Sequence, residues 1–245
     1  MSKLLVIVGL MTALSHPAKG TEPVQALLAR ADHYRLAGGA MQVLTEVTTF
    51  KGGKPDKERR YLVYVRPGRQ SLVLSKSAVE SGQKVLMLGD DFWIILPTSQ
   101  RPVRITPAQK LLGDASTGDI ATMTWAGDYD GEVAGEAEVN GTPCVRLDLV
   151  AQRRGVSYRR VELYLTKADA RPLRADLYVA SEKLAKRATF EVGMVGGSAS
   201  VTSMTLADEI QPGRKTVVRY LSRVPRAVGD EYYNPMFLTH NEPRD

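Results

Sequence analysis

The chain has 245 residues, of which 43% are hydrophobic, and its formal net charge is +6. This composition supports a sizeable core and excludes a disordered chain. The basic residues are dispersed and form no stripe interleaved with aromatic residues, which argues against a nucleic-acid-binding protein. Two interpretations of the arginines stay open: a weak attraction to an anionic membrane surface or acidic partner, and the simpler decoration of solvated hairpin tips.

The first 20 residues have the pattern of a cleavable signal peptide. Lys3 is followed by an apolar run over residues 4–14 and by the small residues Ala18 and Gly20. A bilayer-spanning helix needs ~20 apolar residues, so this run is too short, although a retained anchor or a buried N-terminal helix is the alternative. We therefore expect export to the periplasm, with residues 1–20 removed and residues 21–245 folding as one domain.

The next segment predicts a helix over residues 21–36. Pro23 suits the first turn, and Gly38 and Gly39 end the helix. Its apolar residues recur at helical spacing: Val24, Leu27, Leu28, Ala31 and Leu36.

From Met41 onward the hydrophobic pattern has a period of two, with Gly- and Pro-containing turns between the segments. Asn140-Gly141 predicts a type I′ hairpin. The predicted strands are 41–50, 60–65, 70–75, 84–88, 92–96, 103–106, 132–139, 143–150, 161–165, 174–179, 185–192, 199–207 and 215–222. Between them, residues 107–112 predict a short helix or turn, and a capping box at Ser116, Thr117 and Asp119 predicts a helix over residues 120–125.

The fold class predicted from this pattern is a mainly β protein with one large antiparallel sheet, curled into a sandwich or an open barrel. We expect each strand to have one apolar and one polar face. The N-terminal helix and residues 107–125 are the available covers for the apolar face, and the tail after Pro225 is expected to be irregular. Because these covers are small, the sequence predicts a partly open apolar surface that binds a ligand.

Residues with catalytic or metal-binding chemistry are sparse. His33 and His240 lie at opposite ends and neither has a second ligand at metal spacing. Asp90-Asp91 and the pair Asp128 and Asp130 are interpreted as turn formers. The single cysteine, Cys144, is expected to be buried and unreactive. We therefore predict a protein that is not an enzyme and that uses no cofactor or metal.

A stretch near the middle of the chain resembles a known family. It comprises Gly89-Asp90-Asp91-Phe92-Trp93-Ile94-Ile95-Leu96-Pro97, then Arg101-Pro102-Val103-Arg104-Ile105, then Gly113-Asp114-Ala115-Ser116-Thr117-Gly118-Asp119-Ile120. Its order is similar to that of the outer membrane lipoprotein-sorting proteins of the LolA-like superfamily. The resemblance implies a half-open antiparallel barrel capped by helices, with an apolar cavity for lipoprotein acyl chains. It also implies an inner-membrane export complex and an outer-membrane acceptor as partners.

The sequence therefore predicts a periplasmic carrier of lipoprotein acyl chains or lipid. A sensor module resembling the LolA-like domains of anti-sigma regulators is the alternative, and an enzyme is the third. A one-residue shift of register would exchange the two faces of any strand. The residues predicted to line the cavity are Leu62, Tyr64, Leu72, Leu74, Trp93, Ile95, Ile120, Met123, Trp125, Val145, Leu147, Leu149, Leu163, Leu165, Leu177 and Val179.

Overall fold

The computed structural model of the protein describes residues 22–36, 38–112, 115–122 and 124–243. The predicted signal peptide and the predicted cavity residue Met123 lie outside the described residues. None of the helices in these ranges is long and apolar enough to cross a membrane.

The predicted N-terminal helix is present as α1, Val24–Arg35. Pro23 precedes its first turn, where a missing backbone donor costs nothing. Leu27, Leu28 and Ala31 are buried against the sheet, whereas His33 is exposed. The apolar spacing of the sequence thus determines which side of α1 faces the core.

Antiparallel strands form the rest of the core, in close agreement with the predicted meander. Thirteen of them make one open, curled sheet in the order β6-β5-β4-β3-β2-β1-β15-β14-β13-β12-β11-β10-β9. A short second helix, α2 (Thr117–Ala121), divides the strands into two groups. Before it the strands are β1 (Met41–Lys51), β2 (Lys54–Arg66), β3 (Gln70–Ser75), β4 (Lys84–Leu88), β5 (Asp91–Ile95), β6 (Val103–Ile105), β7 (Lys110–Leu112) and β8 (Ala115–Ser116). After α2 they are β9 (Tyr129–Val139), β10 (Thr142–Ala151), β11 (Arg160–Thr166), β12 (Pro172–Tyr178), β13 (Leu184–Val195), β14 (Ser198–Asp208) and β15 (Arg214–Pro225). Pairing of β1 with β15 joins the two halves of the meander at the centre of the sheet.

Local turn chemistry follows the sequence at the β9–β10 hairpin. Asn140 and Gly141 both have positive φ, 49° and 76°, as a type I′ turn requires. Val139 and Thr142 therefore pair directly across the turn.

The region between β6 and β9 differs from the prediction. Of the helix or turn predicted at 107–112, the structure has the turn, which leads into β7, and β7 pairs with β8. The capping box is present between Ser116 and Asp119, but α2 spans only Thr117–Ala121 and does not reach residue 125. The helix ends at Thr122 because the backbone becomes extended there, and the following amides bond to α1 instead of continuing the helix.

The expectation that every strand has a polar face is wrong for the central part of β2 and for β3 and β4. Residues 61–65, 71–75 and 84–87 are buried on both faces. The inner face packs against α1 and α2, and the outer face packs against the C-terminal tail. This tail forms two short 3-10 helices, Asp230–Tyr233 and Phe237–Thr239, and buries Tyr233 and Leu238. The ammonium of Lys84 donates to the carbonyl of Leu238 at 3.1 Å.

Candidate functional site

The candidate site lies on the inner face of the curled sheet, beneath residues 115–122 and 124–128, which we call the cover segment. This segment comprises β8, α2 and the extended stretch that follows. Eight of the predicted cavity residues belong to the hydrophobic cluster on this face: Ile120, Trp125, Val145, Leu147, Leu149, Leu163, Leu165 and Leu177. Val179 lies at the edge of this region, beside a cavity of about 200 Å³ that Tyr158, Lys186 and Ile210 also line.

Six other predicted residues do not belong to the hydrophobic cluster on the inner face. They pack on the outer face with Tyr233 and Leu238 of the C-terminal tail. These six are Leu62, Tyr64, Leu72, Leu74, Trp93 and Ile95. In these strands both alternating sets are apolar, so the sequence pattern does not distinguish the inner from the outer face. Whether any of the sixteen predicted residues binds a ligand stays a prediction.

The inner face of β2–β5 is formed by the residues that alternate with these six. None of them is among the predicted cavity residues. Tyr61, Val63, Val65, Val73, Val85, Met87 and Phe92 all belong to the inner cluster. Their apolar character was visible in the same runs. Only a cover for the outer face, here the C-terminal tail, could have indicated that these residues point inward.

One end of the cover segment is fixed by Asp119. Its carboxylate accepts hydrogen bonds from the backbone and hydroxyl of Ser116, both at 2.8 Å. It also accepts from the hydroxyl of Tyr158 at 2.8 Å and from the ammonium of Lys186 at 2.9 Å. Burial, together with the Asp119 charge, raises the pKa of Tyr158 well above its ordinary value, so this hydroxyl stays a donor. These polar groups satisfy one another and anchor α2 to the sheet.

The other end of the cover segment is held by α1. Asp32 accepts hydrogen bonds from the amides of Trp125 at 2.7 Å and Ala126 at 2.8 Å. The guanidinium of Arg35 donates to the carbonyl of Thr122 at 3.2 Å, and Gly127 donates to the side chain of Gln25 at 3.2 Å. Burial raises the pKa of Asp32 to about 6, although both amide bonds and the charge of Arg35 oppose the rise.

Trp125 fills the space between these two anchors. Its ring packs edge-on against Phe190, with centroids 5.7 Å apart, and lies 4.2 Å from the guanidinium carbon of Arg35. A cavity of about 60 Å³ adjoins the ring, and a larger cavity of about 390 Å³ lies beside Arg69, Asp128 and Arg153, a region that we call the mouth of the fold. Thr122 and Thr124 line both cavities, so this stretch of the cover segment separates them.

Ion pairs at the mouth of the fold connect the two halves of the sheet. Arg69, in the turn between β2 and β3, pairs with the fully buried Asp128 and donates to the carbonyl of Gly155 at 2.8 Å. Arg153 approaches Asp128 and Asp90 to 3.8 Å each. A Cβ on Gly155 would meet the Cα of Asp90 at 2.4 Å, so the two loops touch through their backbones. The expected turn residues Asp90 and Asp128 thus also help to hold the curled sheet together.

The other candidate groups for chemistry lie apart. Cys144 is buried, as expected, and burial raises the pKa of its thiol. Across the described parts of the chain, no group of three or more His, Cys, Asp and Glu side chains has the arrangement to hold a metal ion.

Comparison with solved structures identifies the family. A LolA superfamily protein from Nitrosomonas europaea has a TM-score of 0.81 at 26% identity, over 87% of this chain and 98% of the other. This chain belongs to the LolA-like superfamily. A sequence model of a family described as an uncharacterized protein also matches residues 68–240. No curated protein matches at a significant level.

Two further solved structures share the fold. A DUF1329 family protein from Desulfovibrio piger has a TM-score of 0.71 at 24% identity, over 87% of this chain and 98% of the other. A domain named for outer membrane lipoprotein sorting, from Vibrio parahaemolyticus, has a TM-score of 0.73 at 16% identity, over 89% and 97%. They support the curled sheet with an N-terminal helix as the family architecture.

Proposed function

We propose that this LolA-like protein is a periplasmic, non-enzymatic carrier that holds the acyl chains of a lipid or lipoprotein under the cover segment. The observation that carries the proposal is the pair of adjoining cavities that Thr122 and Thr124 of the cover segment both line. Displacing this stretch would join the apolar cavity to the larger one. The joined space falls within the ~300–1,000 Å³ typical of small-molecule sites.

Acyl chains have the chemistry that the inner cavity can bind. The ring of Trp125 and the side chains of Phe190 and Met204 give it an apolar lining. Burying a methylene contributes ~0.8 kcal/mol, so a chain of moderate length can offset the loss of several hydrogen bonds of the cover segment. The polar side chains nearby, Asp119 and Lys186, are bonded to each other, which favours a binding role over a catalytic one.

Delivery towards an outer-membrane acceptor, after loading from an inner-membrane export complex, is the transport role that we propose. It is supported by the structural similarity to a domain named for outer membrane lipoprotein sorting. In such a role the carrier releases its cargo when the acceptor offers a more accessible apolar site.

The first test is native mass spectrometry of the protein purified from the periplasm without detergent, followed by organic extraction. Co-purifying acyl lipid or lipoprotein supports the carrier. A ligand-free mass, together with failure to take up an added acylated peptide, contradicts it and favours a module that senses or binds a protein partner.

Opening of the cover segment can be followed through the two tryptophans, which lie on opposite faces of the sheet. In W93F the remaining Trp125 reports on the cover segment, and in W125F the remaining Trp93 reports on the outer face. Addition of an acylated peptide should change the emission of W93F and leave that of W125F unchanged. The opposite pattern would place the ligand under the C-terminal tail.

A further inference from the structure

Two arginines make no ion pair with a carboxylate of the described residues: Arg35, which lines the apolar cavity, and Arg223, which lies near it in the fold. Arg35 is only 6% exposed, and its Nε is buried without a hydrogen-bond partner. The Nε of Arg223 is also buried and unpartnered. Neither guanidinium forms an ion pair with any described residue. Buried charges are normally paired, so this arrangement is costly without an anion.

Backbone carbonyls and aromatic rings supply only partial compensation. Arg223 donates to the carbonyls of Val201 at 2.6 Å and Tyr34 at 3.5 Å, and its guanidinium lies 4.7 Å from the ring of Tyr220. Among the described residues, Arg35 donates a hydrogen bond to the carbonyl of Thr122 and packs against the ring of Trp125. These dipoles and ring faces are weaker partners than a carboxylate or a phosphate.

The two guanidinium groups are also close enough to affect each other. Burial lowers the pKa of Arg223, and the positive charge of Arg35 adds to the effect. The nearby Asp32 supplies one negative charge, but its oxygens accept from Trp125 and Ala126. The region therefore holds the buried charge of Arg35, the partly buried charge of Arg223, and one carboxylate already engaged by backbone amides.

We propose that the ligand has an anionic group next to its acyl chain, and that Arg35 binds this group with Arg223 supporting it electrostatically. This inference rests on the proposed acyl-binding function and specifies the ligand class. Arg35 lines the apolar cavity, so the chain would lie along Trp125 and Phe190 with its carboxylate or phosphate at the guanidinium. The anion would replace the carbonyl of Thr122, which frees the cover segment as the ligand binds.

The test compares ligands with the same chain and different head groups on the unmodified, delipidated protein. Laurate and lauroyl-lysophosphatidylglycerol are each compared with the uncharged monolauroylglycerol by isothermal titration calorimetry. Tighter binding of the anionic member of either pair, by ~10- to 100-fold, is the contribution of one hydrogen bond between charged groups. The pair that shows the preference identifies the anion as a carboxylate or a phosphate.

Variants test which arginine is responsible for the tighter binding of anionic ligands. R35Q and R223Q should reduce it, R35Q more strongly, while R214Q, which removes an exposed arginine on β15, should keep it. Equal binding of anionic and neutral ligands, or a preference that survives R35Q and R223Q, overturns this inference and leaves the carrier function intact. Failure of every acyl ligand to bind contradicts the carrier function itself. The head-group comparison needs no variant, so a poorly folding R35Q does not prevent a decision.

Discussion

Asp32 should make the stability of this protein depend on pH in a direction unusual for an aspartate. Its pKa rises from the ordinary 3.8 to about 6 in the folded protein because the carboxylate is buried under the cover segment. The folded state therefore binds this proton more tightly than the unfolded state. A pKa difference of one unit corresponds to ~1.4 kcal/mol, so the contribution of Asp32 to the free energy of unfolding falls by ~3 kcal/mol as the pH rises from about 4 to above about 6.

The variant Asp32→Asn removes this titration but keeps an oxygen that accepts one of the two amide bonds. Urea unfolding of both proteins, at intervals from about pH 4 to about pH 7, gives the difference in unfolding free energy at each pH. This difference should shift in favour of the variant by ~3 kcal/mol across that range. Asp56→Asn removes an exposed aspartate of β2 as a control. If the free energy of unfolding changed with pH in the same way for wild type and Asp32→Asn, Asp32 would not be a buried acceptor for the cover segment.

Three further substitutions test the anchors and the tail. Gly118→Ala should destabilise the protein by ~1–3 kcal/mol in urea unfolding, because the new Cβ would lie 2.1 Å from the hydroxyl oxygen of Ser157. Arg69→Gln leaves the buried carboxylate of Asp128 without its main partner, so it should cost ~3–5 kcal/mol and lower the melting temperature. Leu238→Ala should cost ~2–5 kcal/mol by calorimetry, since this side chain of the tail is fully buried against the outer face of the sheet.

Each of these substitutions has a matched control. Ser157→Ala combined with Gly118→Ala should recover part of the lost stability. Arg104→Gln removes an arginine from an exposed pair with Asp91, which contributes ~0–1 kcal/mol. Met236→Ala changes an exposed residue of the tail and should stay within ~0.5 kcal/mol of wild type. If Arg104→Gln lowers the free energy of unfolding as much as Arg69→Gln, burial does not explain the loss of stability. The same holds if Met236→Ala lowers it as much as Leu238→Ala.

The strands were predictable from the sequence because turn residues divide the chain at regular intervals. The faces of β10 and β11 were also predictable, since Leu147 and Leu149 alternate with charged residues that must face water. In β2 the run from Tyr61 to Val65 is apolar at every position, and both faces are buried. Such a strand gives no alternation, so its inner face depends on tertiary contacts that the local pattern does not contain.

The tail and the polar anchors escaped prediction for different reasons. Apolar residues after Pro225, among them Tyr233 and Leu238, were a signal that the tail packs on the fold, although its irregular backbone concealed this. The pair of Arg69 and Asp128 joins positions 59 residues apart, and Asp32 reaches Trp125 across 93 residues. Their partners are set by the curvature of the sheet and by how α1 docks, so spacing along the chain could not reveal them.

The two anchors of the cover segment differ in strength, and this difference indicates how the protein opens. At the α1 end, the hydrogen bonds that Asp32 and Gln25 accept and that Arg35 donates contribute ~0.5–1.5 kcal/mol each, and somewhat more where one partner is charged. At the other end, separating the buried pair of Asp119 and Lys186 costs more, because each charge would lose its partner. Releasing the stretch around Trp125 therefore costs several kcal/mol, within reach of a buried acyl chain and below the ~5–15 kcal/mol of global unfolding. We expect the stretch around Trp125 to move while the buried pairs on either side of it, Asp119 with Lys186 and Asp128 with Arg69, and the thirteen-stranded sheet stay in place.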